Sequence, residues 1–178
     1  MFRQGRGYSA LRRARISLAG ATYFVTLCTA GRRLGLTMPP VPGAIAAELQ
    51  QMDGDGAIRL RLSTIMPDHA HVVFRLGERL TLGQVLGRLK AKTRQALAAA
   101  GCAWQASGFD HRLRPDEPLL PVFHYVYMNP YRAGLVGPAT KWEHFFCAAD
   151  DWYWFQHHLC DELPHPSWLP EGAADRPT

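Results

Sequence analysis

Two histidines separated by a single residue, His69 and His71, form the first pattern whose spacing could support chemistry. Side chains two residues apart in a β-strand point to the same face, so a strand here would hold the two imidazoles side by side. Neighbouring imidazoles can chelate one divalent cation. For an isolated pair the alternative is two partly exposed strand histidines that bind nothing, so a second group is needed to identify a site.

The second pattern is Tyr125 followed four residues later by Asn129. On a helix these two residues lie on one face, so a phenol and an amide could reach the same site. Pro130 disfavours helical geometry at the residue before it, and we therefore expect the helix to end or bend at Asn129. The alternative is an amphipathic helix with core aromatics and a polar terminator.

Together the two patterns supply groups for phosphodiester transesterification, which needs a nucleophile and a Lewis acid on the phosphate. A tyrosine has a pKa near ~10 and is a poor nucleophile at neutral pH unless it is activated. A metal ion that polarises the phosphate oxygens reduces that requirement. One tyrosine is enough to form a covalent phosphotyrosine, which conserves bond energy for rejoining.

The histidines would be carried by the second strand of a predicted hairpin. Residues 57–66 alternate between apolar and basic side chains, so Leu60 and Leu62 are predicted on one face and Arg61 on the other. Residues 69–76 form the second strand, whose remaining alternate positions are apolar and suit a core.

The other elements follow from the same periodicities. We expect a strand at 21–30, a short helix at about 43–52, a helix opened by a capping box of Thr81 and Gln84 and stopped by Gly101, and a helix at 119–129. Strands and helices alternate without long Val/Ile-rich runs. This arrangement predicts an α+β domain, with an antiparallel sheet and flanking helices.

Two segments of the sequence resemble a known family. Residues 66–74, Met-Pro-Asp-His-Ala-His-Val-Val-Phe, resemble the HUH strand of single-tyrosine transposases, although Ala70 is smaller than the bulky residue usual between the histidines. Residues 125–136 resemble the tyrosine helix of the REP-associated tyrosine transposases in particular. Further matches occur in consistent order over about residues 15–150: Tyr23-Phe24-Val25-Thr26, Trp104-Gln105, Phe109, His111 and Arg114.

The sequence departs from that family at two places. Residues 142–146, Trp-Glu-His-Phe-Phe, stand where many members have a Trp-Pro-Trp-Ser-Ser-like stretch, which puts local hairpin contacts in doubt. Tyr131 stands where a small aliphatic residue is more frequent, and we have no physical account of that change.

The resemblance implies a fold, a site and an activity. It implies an HUH endonuclease fold with a ferredoxin-like palm, in which His69, His71 and Asn129 bind Mg²⁺ or Mn²⁺. Tyr125, rather than Tyr127 or Tyr131, would be the nucleophile. The implied activity is cleavage and rejoining of single-stranded DNA near palindromic repeat hairpins, through a covalent 5′-phosphotyrosine intermediate.

The net charge of +5 conceals an asymmetry along the chain. Residues 1–100 contain 15 Lys and Arg but 5 Asp and Glu, whereas residues 101–178 contain 5 and 10. A basic first half favours a polyanionic partner such as DNA, although a solvated basic surface gives the same count. The candidate DNA contacts lie on the helix after the hairpin and around the proposed site: Arg88, Lys90, Lys92, Arg94, Arg112, Arg114 and Arg132.

A chain of 178 residues suits one domain. We expect a basic arm at 1–15, a catalytic domain at 16–163 and an irregular, proline-rich tail at 164–178. Residues 12–30 loosely imitate a signal peptide, but the polar residues within this stretch favour a strand. No run of about 18 apolar residues predicts a membrane span. The four dispersed cysteines suggest reduced, mostly buried thiols in a cytoplasmic protein. Separately, we expect association with the nucleoid and a monomer in preference to a homodimer.

Two other functions fit parts of the sequence. One is a domesticated protein that binds hairpin DNA without cutting it, which would need neither the tyrosine nor the histidine pair. The other is a small metallohydrolase that uses water as its nucleophile. A second metal site formed by His157, His158 and His165 with Cys160 and Asp161 is a weaker hypothesis because the spacing is irregular. Residues 152–155 are aromatic and could stack on bases, although packing against the sheet is the simpler role.

Overall fold

A five-stranded antiparallel sheet forms the centre of the molecule, as seen in a computed structural model that describes residues 17–169. The strands are β1 (Thr22–Cys28), β2 (Ile58–Ile65), β3 (His69–Leu76), β4 (Phe109–Arg112) and β5 (Phe145–Cys147), and their order across the sheet is β4-β1-β3-β2-β5. The α-helices within these residues are α1 (Val41–Gly54), α2 (Leu82–Ala99), α3 (Leu119–Arg132) and α4 (Ala149–Phe155). This architecture confirms the predicted α+β class.

Helices α1 and α2 cover one face of the sheet and enclose the larger core. Alternate residues of β1 and β3 point into this core, so Val25 and Phe74 are at most 1% exposed. From the helices, Ile45 and Leu89 pack against them and are at most 2% exposed. A fully buried side chain of this size contributes ~1.5–3 kcal/mol to folding, so this layer fixes how the strands lie.

The predicted capping box determines where α2 begins. The Thr81 hydroxyl accepts a hydrogen bond from the Gln84 backbone N–H, and the Gln84 side chain accepts one from the Thr81 backbone N–H. The helix ends at Ala99, just before Gly101, which has a φ of 70° that favours glycine. Both predicted ends of this helix are confirmed.

Helices α3 and α4 cover the opposite face with a second, smaller core. Phe123 and Val126 of α3, Phe155 of α4 and Val73 of β3 are fully buried there. The two faces of β3 are therefore both covered by helices, and the face of β3 that carries the histidine pair lies toward α3.

A β-bulge in β2 corrects one sequence expectation. Leu60 lies opposite Phe74 and Leu62 lies opposite Val73, so the register shifts between Leu60 and Leu62. The extra residue, Arg61, reverses the alternation, and Leu62 packs in the second core instead of the first. The prediction that Leu60 and Leu62 share a face is wrong because a bulge cannot be read from local periodicity.

The ends of the chain differ from expectation where they are described. The predicted basic arm at 1–15 lies outside the described residues. Within the predicted irregular tail, Pro166–Trp168 forms a short 3-10 helix, and the Trp168 ring lies 4.3 Å from that of His124, centroid to centroid. No helix within residues 17–169 is long and apolar enough to cross a membrane.

The four cysteines are free, as expected of reduced thiols. Cys102 is buried, Cys28 and Cys147 are partly buried and Cys160 is exposed. The expectation of buried thiols is therefore fully met only at Cys102 among the four.

Candidate metal and nucleophile site

One row of side chains crosses the sheet on the face covered by α3. The strand register places Phe109 opposite Thr26, Thr26 opposite His71, His71 opposite Thr64, and Thr64 opposite Phe145. Residues directly opposite each other in antiparallel strands have Cβ atoms about 4.5–5.5 Å apart on the same face. His71 therefore occupies the central strand, with a threonine on either side and an aromatic residue at each edge.

The two histidines do lie side by side, as their spacing predicts. Nε2 of His69 is 3.1 Å from Nε2 of His71, and the ring planes are inclined at 82°. Two bare nitrogen lone pairs at this separation would repel each other. The geometry therefore requires a shared proton or suits a shared cation.

Polar side chains contact the other nitrogen of each ring. Asp68 Oδ1 lies 2.6 Å from His69 Nδ1, and Thr26 Oγ1 lies 2.9 Å from His71 Nδ1. Because a carboxylate only accepts hydrogen bonds, Nδ1 of His69 is the donor in this contact and its Nε2 points to His71. Partners of this kind fix the tautomer and ring orientation of metal-binding histidines.

Burial keeps His71 neutral. Its side chain is 2% exposed, and desolvation lowers the pKa from 6.5 to about 4. The charges of His69 and Arg32 lower the pKa further, while a hydrogen bond with the Asn129 side chain raises it. At neutral pH the imidazole is therefore uncharged, and one of its two ring nitrogens keeps a lone pair that can bind a metal ion.

Helix α3 places Tyr125 beside this pair. The Tyr125 ring lies 5.4 Å from that of His71 and 5.8 Å from that of Phe24, centroid to centroid, with edge-to-face geometry in both cases. Tyr125 is 44% exposed, so a substrate can reach it. The structure thus brings together a phenol and an imidazole pair from distant parts of the chain.

The sequence predicted that α3 ends or bends at Asn129. The predicted end is wrong, because the helix continues to Arg132. Pro130 is buried, so tertiary packing overrides the local preference. The Asn129 amide donates a 2.7 Å hydrogen bond to the Tyr125 carbonyl oxygen and also interacts with His71. Asn129 therefore reaches the site from within the helix.

The donor set fits a divalent cation. The two imidazoles contact each other and the Asn129 side chain contacts His71, and imidazole and amide ligands suit a divalent ion that retains water or takes substrate oxygens. Across the strand from His71, the buried Thr64 hydroxyl has no hydrogen-bond partner among the described residues. An unpartnered buried hydroxyl at this position fits a site that takes a further polar species.

Within residues 17–169, no group of three or more His, Cys, Asp and Glu side chains is placed to hold a metal ion. The hypothesis of a second metal site near His157, His158 and Cys160 is therefore wrong.

The predicted DNA-contact residues are not brought together. Helix α2 carries four of them and covers the face of the sheet opposite Tyr125. Arg88 forms ion pairs with Glu48 and Asp55, each with an N–O distance of 2.6 Å, which tie α2 to α1. Lys90 donates to the Gln105 carbonyl oxygen. These two side chains have structural partners, and the four α2 residues, Arg88, Lys90, Lys92 and Arg94, do not belong to the candidate site.

Of the remaining three basic residues, Arg132 lies on the helix that carries Tyr125, whereas Arg112 lies opposite Tyr23, which belongs to the core on the other face of the sheet. Arg132 follows Tyr125 by seven positions on α3, which places it on the same helix face. Arg112 and Arg114 are exposed at and after the end of the edge strand β4.

Three contributors to the site, Arg32, Thr26 and Asp68, were not predicted from the sequence. Arg32 has an Nε atom 2.9 Å from Asp68 Oδ2, and its φ of 55° is unusual for a residue other than glycine. Thr26 was singled out as part of a strand but not as a partner of His71. For the contact of Asp68 with His69, the only indication in the sequence was the Pro67-Asp68 turn just before the histidines.

Several solved structures are similar to this chain, including the following two. The structure of a REP-associated tyrosine transposase bound to a REP hairpin matches 68% of this chain and 73% of its own, with a TM-score of 0.58 and 22% sequence identity. A crystal structure of a candidate transposase from Deinococcus radiodurans R1 matches 75% of this chain and 92% of its own, with a TM-score of 0.44 and 17% identity. No family model and no curated protein matches the sequence. By the first comparison, this chain has the fold of a REP-associated tyrosine transposase.

Proposed function

We propose that this protein is a metal-dependent single-strand DNA endonuclease of the tyrosine transposase type, which cleaves and rejoins DNA near repeat hairpins. The observation that supports this most directly is the 5.4 Å separation of the Tyr125 and His71 rings, on the face where His69 and Asn129 also lie. Tyr125 is 44% exposed, so DNA can reach it.

Tyr125 supplies the nucleophile in this proposal. Its phenolic oxygen loses a proton and attacks phosphorus, the bond from phosphorus to the 3′ oxygen breaks, and that oxygen takes up a proton. The products are a free 3′-hydroxyl and a 5′-phosphate esterified to Tyr125. Attack by a DNA 3′-hydroxyl on this ester would restore the phenol and rejoin the strand.

His69, His71 and Asn129 are proposed to hold Mg²⁺ or Mn²⁺. The bound ion would supply Lewis-acid polarisation of the phosphate oxygens. Asp68 and Thr26 orient the two imidazoles, and burial of His71 keeps its lone pair free at neutral pH.

Hairpin DNA is the proposed substrate because the similar transposase structure holds a REP hairpin. The basic first half of this chain agrees with a polyanionic partner.

A covalent adduct provides the test. Full-length protein would be incubated with hairpin oligonucleotides carrying single-stranded tails, in the presence of Mn²⁺, and resolved on a denaturing gel. We expect a protein–DNA adduct from the wild type and none from Tyr125→Phe. Tyr153→Phe is the matched control, since Tyr153 is 73% exposed and lies on α4.

The outcome also separates the two rival functions. Hairpin binding without any adduct would support a non-cutting DNA-binding protein. Cleavage that persists in Tyr125→Phe without an adduct would support hydrolysis by water.

A further inference from the structure

A pocket of about 370 Å³ lies on the same face of the sheet as the candidate site, beside β5. Its walls are mostly aromatic, with contributions from Tyr127, Tyr131, Trp142, Phe145 and Trp152. None of these residues belongs to the proposed metal and nucleophile site. The volume lies within the range of small-ligand pockets, which are typically aromatic with a few polar groups.

The sheet register places this pocket near the proposed cleavage site. Phe145 lies opposite Thr64, which lies opposite His71, so two strand spacings separate Phe145 from His71. Neighbouring strands are about 4.8 Å apart, which gives roughly 10 Å between the two backbones. A nucleotide adjacent to a phosphate at the His71 site can span that distance.

Hydrogen bonds fix the aromatic walls. The Tyr127 hydroxyl donates to the Glu162 carbonyl oxygen at 2.9 Å, and the Tyr131 hydroxyl donates to the Thr140 carbonyl oxygen at 3.1 Å. The Trp142 indole N–H donates to the Ile65 carbonyl oxygen at 3.1 Å. Their polar atoms are satisfied by the protein, so the half-buried Trp142 ring can offer apolar surface without reorganising, while the buried Tyr127 and Tyr131 also line the pocket.

An ion pair between Lys141 and Glu162 stands at the rim. The two side chains are 63% and 46% exposed, so the pair is hydrated and separating its two charges costs little free energy. Once open, it presents a hydrogen-bond donor next to an acceptor. That combination complements the edge of a nucleobase, which carries carbonyl or ring-nitrogen acceptors and amino or imino donors.

We propose that this pocket binds one unstacked nucleobase of the substrate strand, close to the phosphodiester that Tyr125 attacks. The base stacks on the aromatic walls, and the Lys141–Glu162 pair contacts its edge. This inference rests on the proposed function, because it takes single-stranded DNA as the ligand. It adds a specificity site on the β5 side of His71.

The test measures coupling between the pocket and one nucleotide. A hairpin oligonucleotide with randomised single-stranded tails is selected for binding to the full-length protein in chelator, and each tail position of the selected DNA is then replaced by an abasic nucleotide. Stacking on an aromatic side chain changes affinity about tenfold or more per base. We expect one position near the cleavage site at which base removal weakens wild-type binding by about that factor.

The same abasic DNA separates a binding pocket from a structural cluster. Trp152→Ala should weaken binding of intact DNA by a similar factor, and base removal at the sensitive position should then cost less than about twofold. Tyr153→Ala is the matched control, because Tyr153 is the neighbouring aromatic residue but is 73% exposed and does not line the pocket. It should retain the full abasic penalty.

A second variant covers the case in which Trp152→Ala does not fold. Lys141→Ala removes an exposed rim side chain and should reduce the penalty at the same position. Equal abasic penalties in the wild type and the pocket variants would overturn the inference. The proposed function fails separately, if the protein binds the DNA but forms no adduct with it. If the protein binds none of the DNA, both the proposed function and this inference are overturned.

Discussion

Thr26 of β1 lies directly opposite His71 of β3, with its hydroxyl oxygen 2.9 Å from His71 Nδ1. This contact holds the His71 ring so that Nε2 faces Nε2 of His69, 3.1 Å away. The orientation of the proposed metal ligand thus depends on a strand that precedes it by more than forty residues. Variants of the residues around the histidines should therefore change metal binding without removing a ligand.

Thr26→Val keeps the shape of the side chain and removes the hydroxyl. We expect Mn²⁺ affinity and cleavage rate to fall about tenfold, because the His71 ring loses the partner that sets its orientation. Calorimetric titration with Mn²⁺ measures the change. Thr22→Val, at the start of the same strand and on the same face, should bind Mn²⁺ as the wild type does. Equal losses in the two variants would show a general effect of the substitution on the strand.

Asp68→Asn removes the carboxylate that accepts from His69 Nδ1 at 2.6 Å. The amide is a weaker acceptor and also loses the ion pair with Arg32, so His69 should become a poorer ligand. We expect a 10–100-fold loss of metal affinity, measured by Mn²⁺ titration. Glu78→Gln is the charge-matched control, since Glu78 is exposed. An unchanged affinity in Asp68→Asn would show that the carboxylate does not support the metal site.

His71 should make stability depend on pH. Its pKa is lowered from 6.5 to about 4 in the folded chain, so the unfolded chain takes up this proton at a higher pH. The stabilisation is therefore complete above pH ~6.5 and is lost as the pH falls toward 4, by at most about 3 kcal/mol. Urea unfolding in chelator, from pH 7 to pH 4, measures this loss. His71→Asn should lose less stability over that range, and parallel curves would contradict the assignment.

Asp151 and Asp150 of α4 each form an ion pair with an arginine of β2, and the two pairs differ in solvent exposure. Asp151 accepts from the guanidinium of Arg61, the bulge residue, and is 9% exposed, whereas Asp150 pairs with Arg59 and is 84% exposed. Removing one partner of a buried pair leaves an uncompensated charge, so Asp151→Ala should destabilise the fold by about 2–3 kcal/mol. Asp150→Ala should cost less than about 1 kcal/mol. Urea unfolding of both variants gives the comparison, and similar losses would contradict it.

Two exposed arginines on opposite sides of the sheet test where DNA lies. Arg132 shares a helix face with Tyr125, while Arg94 lies on α2 over the other face. Arg132→Ala should weaken hairpin binding and reduce the slope of log affinity against log salt by about 1. Arg94→Ala should change neither quantity. The reverse result would place the DNA on the α2 side, as the sequence-based hypothesis allowed.

Local periodicity was sufficient for β1 to β3 and for α1 to α3, but it did not predict β5 or α4. Alternation over residues 69–76 predicted both the strand and the shared face of His69 and His71. Helical spacing predicted that Tyr125 and Asn129 share a side of α3, and the capping box located the start of α2. These features depend on residues a few positions apart, so the sequence alone determines them.

Tertiary structure decided which distant groups meet. The Thr26–His71 contact depends on strand register, and the bulge at Arg61 moves Leu62 to the other core. Burial of Pro130 lets α3 continue where local preference predicts its end. Arg88 forms ion pairs with Glu48 and Asp55 because α1 packs on α2. Counting charges in the sequence does not predict these pairs. Each of these outcomes depends on the packing of segments far apart in sequence, and local pattern carries no information about that packing.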